Sequence, residues 1–242
     1  MKPATPPWRE RCYTGGHRLL ERARLARVFD YRWCEVLRSD VPQLPPSGWD
    51  PDSLWMGEVG AAQLKWLAAF APDRRREFAP RWSKGRRCFA AALASPPEPA
   101  RCVGYVWAMC GPGTLPGEHG YRWQIPPASV WIYDARVHPL VLGTYPDLAR
   151  FAFLKLRDEG ATTLFGQVEY DNRTSRRVHR MLGGETVGAI ATLSVFGARI
   201  HFDRYRAGGW HVRFGKAPIQ LASFAAPSAA RPAALAHGNG ER

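Results

Sequence analysis

Two carboxylates in the stretch from Val130 to Gly184 have the chemistry for proton transfer. Asp134 lies in the apolar, strand-like run VWIYDARV, and its carboxylate could act as a general base. The alternative is a structural ion pair with a nearby arginine. Glu169 ends the second strand-like run, TTLFGQVE, and could accept a proton through water. A solvated carboxylate at a strand end is the alternative for Glu169.

His179 lies on one face of a predicted helix that spans residues 174–182. That face carries, at spacings i, i+3, i+4 and i+7, Ser175, Val178, His179 and Leu182. Histidine titrates near neutrality and could act as an acid, or it could simply pack or hydrogen-bond within the core. Asn172 precedes the helix and is a favoured N-cap residue.

The connection between the two strand-like runs has features of an anion site. Val137-His138-Pro139 ends the first strand, and Gly143-Thr144-Tyr145-Pro146 opens a helix. Free backbone N–H groups and the helix dipole favour a bound phosphate at such a helix start. Pro146 suits the first turn because it has no N–H group to satisfy. Asp147 stabilises the helix start but opposes an anion, so a helix start without a ligand is the alternative.

The composition limits the classes of partner and compartment. The formal charge of +13 favours anionic partners such as nucleic acid, a phosphate-rich cofactor or an acidic membrane surface, although a general basic bias is the alternative. The five cysteines form no CxxC pair and no zinc-finger spacing, which is typical of free thiols. We find no secretory signal pattern and no apolar run approaching the ~20 residues of a membrane span, so we expect a cytoplasmic protein.

The flanking segments predict a mixed α/β fold with a largely antiparallel sheet. The predicted helices are His17–Phe29, Asp52–Phe70 and Asp73–Trp82. The predicted strands outside the central stretch are Tyr31–Arg38, Arg87–Ala94, Arg101–Met109, Glu185–Phe196 and Ala198–Tyr205. The segment Gly111–Pro127 is predicted to be a long Gly/Pro loop.

This order of elements and motifs resembles the GNAT superfamily of acetyl-CoA-dependent N-acetyltransferases, from about Phe29 to Tyr205. The resemblance implies a GNAT-like mixed, largely antiparallel central sheet flanked by helices. It divides the chain into a flexible N-terminus with a basic helix (1–28), an acyltransferase domain (29–205) and a C-terminal extension (206–242), which we expect to be disordered after about 226 from its Ala/Pro/Ser composition.

The resemblance also implies roles for named residues. The implied cofactor contacts are Ala135, Arg136, Val137, Gly143, Thr144, Tyr145, Asn172 and Ser175. Backbone amides near Ala135–Val137 would polarise the thioester carbonyl, and amides of the Gly143 turn would hold the CoA pyrophosphate. His179 stands where many relatives carry a tyrosine that protonates the leaving thiolate, and Asp134 and Glu169 complete the implied catalytic set.

The chain also departs from the family pattern at three points. Its phosphate turn has no arginine, Tyr145 replaces the second small residue of that turn, and Gly184 replaces a phenylalanine after the His179 helix. Trp131, Tyr133 and the Gly111–Pro127 loop could line an acceptor pocket or could be core and surface residues.

The implied function is transfer of an acetyl or other acyl group from acyl-CoA to an amine, by direct attack in a ternary complex and without a metal. Two further hypotheses remain open at this point. The altered phosphate turn favours a non-catalytic GNAT-like protein, and the charge of +13 favours a module that binds nucleic acid or an anionic surface.

Overall fold

The computed structural model describes residues 29–40, 54–93, 102–117, 120–139, 141, 143–205, 209–215 and 218–225. The strands are β1 Phe29–Asp40, β2 Trp55–Val59, β3 Arg87–Ala92, β4 Cys102–Cys110, β5 Gly113–Pro116, β6 Arg122–Ile125, β7 Ser129–Val137, β8 Thr163–Glu169, β9 Glu185–Val195, β10 Ala198–Tyr205, β11 Trp210–Phe214 and β12 Pro218–Gln220. The helices are α1 Leu64–Phe70, α2 Arg75–Trp82, α3 Thr144–Asp158, α4 Arg173–Met181 and α5 Ala222–Ala225. The N-terminal helix and the disordered tail predicted from the sequence lie outside the described residues.

Two sheets organise the described part of the chain. The larger has the strand order β11-β10-β9-β1-β8-β7-β4-β3-β2, and the smaller has the order β12-β6-β5. In the larger sheet every neighbouring pair is antiparallel except β7 and β8, which are parallel. A parallel pair needs a crossover connection, and α3 supplies it. The predicted mixed, largely antiparallel sheet flanked by helices is therefore confirmed.

The larger sheet is covered on both faces because alternate residues of a strand point to opposite sides. On one face Val130 and Ile132 of β7 pack with the buried side chains of α3, among them Leu148 and Phe153. On the other face Trp131 packs among residues of the smaller sheet. Helices α1 and α2 cover β3 and β4 on that same second face. Strand β7 thus contributes to both cores.

The segment predicted as one helix from Asp52 to Phe70 is helical only in its second half. Residues 55–59 form β2, which pairs with β3 at the edge of the larger sheet. Two glycines, Gly57 and Gly60, weaken a helix here. Trp55 and Val59 pack on one face of the sheet while Met56 packs on the other, as alternation in a strand requires. The helix prediction for residues 55–59 was wrong.

The predicted loop from Gly111 to Pro127 contains the antiparallel pair β5 and β6. Its buried side chains are Leu115, Tyr121, Trp123 and Ile125. The alternation of the last three is typical of a strand, but the density of glycine and proline concealed it. The chain after Tyr205 adds β11 to the larger sheet and β12 to the smaller one. Within the described residues, we find no helix with the length and apolar character needed to cross a bilayer.

Candidate active site

A cleft opens where the parallel strands β7 and β8 separate. Their pairing runs from Ser129↔Thr163 to Ile132↔Gly166, although both strands continue to Val137 and Glu169. The separation coincides with a β-bulge in β7, where the register with β4 shifts and Asp134 has a φ of 42°. A bulge bends its strand and redirects side chains. The resulting cleft has a volume of about 790 Å³.

Ten of the eleven residues that the sequence suggested for the site line this cleft. They are Asp134, Ala135, Arg136, Val137, Gly143, Tyr145, Glu169, Asn172, Ser175 and His179. Thr144 does not line it, because its side chain is buried and its hydroxyl donates to the Val141 carbonyl at 3.0 Å. The residues are brought together because α3 returns the chain from β7 to the neighbouring strand β8.

The start of α3 forms one end of the cleft. Gly143, the N-cap, has a φ of 83°, a left-handed conformation that glycine adopts without strain. The helix begins without a side-chain cap, which leaves first-turn backbone N–H groups for water or a ligand. Asp147 lies close by, since a Cβ built on Gly143 would be 3.9 Å from its Oδ2. Arg150 donates to Asp147 Oδ1 at 2.9 Å and partly offsets that negative charge.

The start of α4 forms a second polar wall. Asn172 caps the helix, and its side-chain oxygen accepts a hydrogen bond from the Ser175 backbone N–H at 3.0 Å. The N-cap interpretation of Asn172 is therefore confirmed. Its side-chain amide nitrogen has no hydrogen-bond partner within the described part of the chain, so Asn172 can cap the helix and still donate to a ligand.

His179 lies at the base of the cleft, where it contacts Tyr145 of α3. The Tyr145 hydroxyl and His179 Nε2 are 3.1 Å apart, and the two rings meet edge to face with centroids 5.9 Å apart. His179 is only 4% exposed, and this burial lowers its pKa to about 4. Burial also raises the pKa of Tyr145 well above its usual range. Near neutral pH the pair is therefore a neutral imidazole and a neutral phenol.

This neutral state differs from the sequence expectation of a histidine that titrates near neutrality. The helical spacing of His179 and its neighbours in the sequence does not indicate how deeply α3 buries the imidazole ring. The Tyr145 hydroxyl contact was missed as well, because Tyr145 was considered only for its backbone position. The hydrogen bond depends on the crossing of α3 and α4, which no local pattern encodes.

Two glycines leave room for the close packing of His179. A Cβ on Gly166, where the β7–β8 pairing ends, would lie 3.4 Å from His179 Cε1. A Cβ on Gly184 would lie 2.5 Å from the His179 carbonyl oxygen, which accepts a hydrogen bond from the Gly184 N–H at 2.7 Å. The glycine that departs from the family pattern after this helix is thus required by the close approach of the backbone.

Asp134 is held in an ion pair. Its side chain is 9% exposed and accepts a hydrogen bond from Arg81 of α2. Arg81 also donates to Glu77 at 2.5 Å and lies over the Trp107 ring. The alternative interpretation of Asp134, a carboxylate paired with arginine, matches this geometry. The pair fixes the bulge of β7 against α2.

Glu169 is the more accessible carboxylate of the cleft. Its side chain is about one third exposed and lies 3.4 Å from Arg32, which also binds Asp30 at 3.1 Å. A carboxylate with this access to solvent can exchange protons through water. Among the described residues, no group of three or more His, Cys, Asp or Glu side chains is arranged to hold a metal ion.

The wall opposite α3 and α4 is mostly apolar. It comprises Leu115, Trp123, Trp131, Tyr133 and Gln167. The sequence had suggested Trp131, Tyr133 and the Gly111–Pro127 segment here, and that segment contributes Leu115 and Trp123, but the sequence had not suggested Gln167. Tyr121 donates its hydroxyl hydrogen to Gln167 Oε1 at 2.6 Å, a contact between residues distant in sequence.

No protein-family model matches this sequence, and no curated protein matches it. The structure is similar to the GCN5-related glucosamine N-acetyltransferase region of a fungal multi-domain GH3 β-N-acetylglucosaminidase, with a TM-score of 0.52 and 11% identity over 73% of this chain and 22% of that chain. A tandem GNAT protein from the clavulanic acid biosynthesis pathway has a TM-score of 0.44 and 15% identity over 76% of this chain and 57% of that chain. A GCN5-related N-acetyltransferase from Sphaerobacter thermophilus has a TM-score of 0.42 and 15% identity over 86% of this chain and 58% of that chain.

This chain spans less than two thirds of the length of each of these three proteins. At such low sequence identity, structural similarity shows only a shared arrangement of helices and strands. The mixed sheet, the β7–α3–β8 crossover and the match to the fungal structure together show that the chain has the fold of the GNAT acetyltransferases.

Proposed function

We propose that this protein transfers an acetyl or other acyl group from acyl-CoA to an amine acceptor by direct attack in a ternary complex. The observation that carries the proposal is the opening between β7 and β8, with the start of α3 at one end and the Tyr145–His179 pair at its base. Beyond Ile132, β7 still pairs with β4 but no longer with β8, and an extended thioester arm lying in this opening would take the place of β8 beside it.

Backbone groups would bind the donor. The uncapped first turn of α3 offers N–H groups to the pyrophosphate, and Gly143 allows a close approach because it has no side chain. The Asn172 side-chain amide would donate to the arm of the donor. Amides of the Ala135–Val137 segment would donate to the thioester carbonyl and stabilise the oxyanion that forms when the amine attacks.

The leaving thiolate would take its proton from Tyr145. The phenol stays protonated throughout the neutral range because burial raises its pKa. With its proton on Nε2, the neutral His179 donates to the Tyr145 oxygen and leaves the phenol hydrogen for the sulfur. His179 thus acts through Tyr145, and it stabilises the negative charge that develops on the phenol oxygen as the C–S bond breaks.

The attacking amine would lose its proton toward Glu169. A water molecule between the amine and this partly exposed carboxylate would carry the proton out of the cleft. Asp134 would act as a positioning residue, because its ion pair with Arg81 maintains the bulge that separates β7 from β8.

Calorimetry with acetyl-CoA tests the binding step, and release of free CoA thiol in the presence of an amine panel tests the reaction. We expect saturable binding that also raises the melting temperature as mass action requires. We also expect that kcat does not fall as the pH rises through the ordinary pKa of histidine, since His179 is neutral there. Absence of acetyl-CoA binding at millimolar concentration would contradict the proposal.

One observation favours a second candidate, a non-catalytic GNAT-like protein. The carboxylate of Asp147 lies beside Gly143, where an anion would have to bind. Like charges repel, so this carboxylate opposes a phosphate unless Arg150 neutralises it. Binding of acetyl-CoA followed by thiol release with any amine would exclude this candidate, whereas a folded protein without affinity for CoA would support it.

A further inference from the structure

Strand β11, at one edge of the larger sheet, exposes apolar side chains together with a neighbouring turn. Phe196, in the turn between β9 and β10, is 83% exposed, and Phe214, the last residue of β11, is 72% exposed. Trp210 and Val212 precede Phe214 at alternate positions of β11 and are about half exposed. The three β11 side chains share one face, because alternate residues of a strand point the same way. We call Phe196, Trp210, Val212 and Phe214 the edge patch.

Phe196 occupies a backbone conformation that disfavours phenylalanine. Strand β9 ends at Val195 and β10 begins at Ala198, so the turn consists of Phe196 and Gly197, with φ values of 49° and 81°. Positive φ at both positions is the pattern of a type I′ turn, for which Asn-Gly is strongly preferred. A bulky residue is strained there. A side chain that is both strained and exposed does not serve the core, and strain of this kind is concentrated at functional sites.

Hydrogen bonds hold the end of β11 beside this turn. The Gly215 N–H donates to the Arg199 carbonyl at 3.3 Å, and the Gly215 carbonyl accepts from Nε2 of the buried His201 at 3.0 Å. The other ring nitrogen of His201 accepts from the Thr192 hydroxyl at 3.0 Å. Phe214, next to Gly215, is therefore presented on a preformed surface, and binding there loses little affinity to ordering of the chain.

The turn of the edge patch lies at the end of the sheet at which the cleft opens. Strand β1 is antiparallel to both β8 and β9, so β8 and β9 run in the same direction. Cys34 of β1 pairs with Glu169 of the cleft on one side and with Ile190 on the other. Phe196 follows Ile190 along β9 and lies about 20 Å farther in the same direction. A surface that binds this turn therefore lies on the same side of the molecule as the mouth of the cleft.

The charges described around the edge patch favour an anionic partner. Arg199 follows the turn and is exposed, and the exposed Arg204 lies over the Trp210 ring at 5.9 Å from its centroid. The carboxylates of Asp30 on β1 and Asp203 on β10 are each paired with an arginine. The whole chain has a formal charge of +13. Exposed aromatic side chains beside arginines suit the interface of an anionic bilayer, where rings enter the headgroup region and arginines meet lipid phosphates.

We infer that the edge patch binds the surface of an anionic lipid bilayer, with Phe196 and Phe214 inserted at the boundary between headgroups and acyl chains. This inference goes beyond the proposed acyl transfer and does not depend on it. A second copy of the chain fits the patch less well. The four side chains expose roughly 500 Å², whereas a standard protein interface needs about 800 Å² from each partner. Two chains of charge +13 also repel each other.

Flotation of the full chain with lipid vesicles tests the inference. One set of vesicles contains phosphatidylcholine alone, and the other contains phosphatidylcholine mixed with phosphatidylglycerol. We expect binding to the anionic vesicles that weakens as salt is added, and binding at least about tenfold weaker to the neutral ones. Absence of binding to the anionic vesicles, or equal binding to both sets, would overturn the inference.

Phe196→Asn separates a lipid contact from a structural role. The variant creates the preferred Asn-Gly turn, so its melting temperature should rise. Its affinity for anionic vesicles should fall about tenfold, because one large apolar side chain no longer leaves water. Leu93→Asn is the matched control, since Leu93 is also half exposed but follows β3, near the opposite edge of the sheet, and should bind vesicles like the wild type. Unchanged vesicle binding in Phe196→Asn, or an equal loss in Leu93→Asn, would contradict the assignment to the edge patch.

Analytical ultracentrifugation without lipid tests the second copy as the occupant. We expect the wild type and Phe196→Asn to sediment alike, as monomers. A wild-type dimer that Phe196→Asn dissociates would assign the edge patch to self-association and overturn the lipid inference.

Discussion

The two walls of the cleft are built in different ways. The wall formed by α3 and α4 comes from one continuous stretch, residues 143–179, and offers mainly backbone groups at two helix starts. The opposite wall is formed by Leu115, Trp123, Trp131, Tyr133 and Gln167, and offers mainly aromatic rings and one amide side chain. Backbone groups suit a ligand part that never varies, whereas side chains can be exchanged to suit a particular acceptor. We therefore expect mutations on the first wall to affect donor binding and the chemical step, and mutations on the second to affect choice of acceptor.

A matched pair of tyrosines gives the largest contrast between the walls. Tyr145→Phe removes the hydroxyl that faces His179, and Tyr121→Phe removes the hydroxyl that holds Gln167. Loss of a general acid typically lowers the rate by about 10²–10⁴-fold. We expect that loss of kcat for Tyr145→Phe with little change in acetyl-CoA affinity, because the proton is needed only as the thioester breaks.

Tyr121→Phe should leave kcat within a few-fold of the wild type with a good acceptor, and should change mainly the KM for the amine. Steady-state kinetics and acetyl-CoA calorimetry on both variants distinguish the outcomes. Equal losses of kcat in the two variants would show that the two walls do not have separate roles. A normal kcat in Tyr145→Phe would exclude Tyr145 as the proton donor.

The buried histidine gives the first wall a pH dependence of stability. The pKa of His179 is about 4 in the folded protein against 6.5 for the free side chain. As the pH falls between these values, the unfolded chain binds a proton that the folded protein does not, so the free energy of unfolding decreases. The decrease would total about 3 kcal/mol by the linkage relation. Above pH 6.5 the imidazole is neutral in both the folded and the unfolded protein, so the free energy of unfolding is not reduced by His179.

Urea unfolding at several pH values measures this effect, with His179→Asn as the comparison. In His179→Asn the free energy of unfolding should decrease much less between pH 6.5 and 4 than in the wild type. His201, whose pKa is also lowered by burial, remains in both proteins and contributes equally to each. An unchanged pH dependence in the variant would mean that His179 is solvated in the folded protein.

The same difference between the walls explains what the sequence could predict. The order β7, α3, β8 and α4 follows from local signals: two apolar runs, the Gly143 turn and the Asn172 cap. Ten of the eleven suggested residues then meet because the α3 crossover brings the adjacent parallel strands β7 and β8 together. Local patterns therefore predicted the site residues of the first wall and those near the ends of β7 and β8.

The contacts within the second wall could not be predicted in this way, although the sequence had suggested several of its residues. Gln167 and Tyr121 are 46 residues apart, and their contact depends on the smaller sheet, which lies in a segment dense in glycine and proline. The protonation state of His179 was equally hidden, because the depth of its burial depends on how α3 crosses α4. Both errors concern tertiary packing, which overrides local pattern and ordinary pKa values.

The backbone fit behind His179 is the next test of the first wall. Gly184→Ala would place a Cβ 2.5 Å from the His179 carbonyl oxygen, so the chain must shift. Overpacking of this kind typically costs about 1–3 kcal/mol. Gly183→Ala is the matched control, since its φ of 75° costs conformational strain but no atom lies within 4 Å of the new Cβ. That strain is typically about 1–2 kcal/mol.

Urea unfolding gives the stability of both glycine variants, and kcat gives the effect on the site. Gly184→Ala should lower kcat as well as stability, because it displaces the backbone of His179. Gly183→Ala should lower stability alone. If the two variants behave alike in both measurements, the close contact at Gly184 does not position His179.

The smallest expected effect concerns the charge beside Gly143. Asp147→Asn removes a carboxylate from the start of α3, where it opposes an incoming phosphate and is partly neutralised by Arg150. A charge near a helix terminus is worth about 0.3–1 kcal/mol, so acetyl-CoA should bind about two- to fivefold more tightly. Stability should fall slightly, because the carboxylate interacts favourably with the helix dipole and pairs with the nearly buried Arg150.

Asp158→Asn, at the other end of α3, makes the same change in net charge on an exposed side chain and should leave the affinity unchanged. Calorimetry at low ionic strength measures both variants. Tighter binding in both would indicate a general effect of net charge, whereas weaker binding in Asp147→Asn would place the phosphate away from the start of α3.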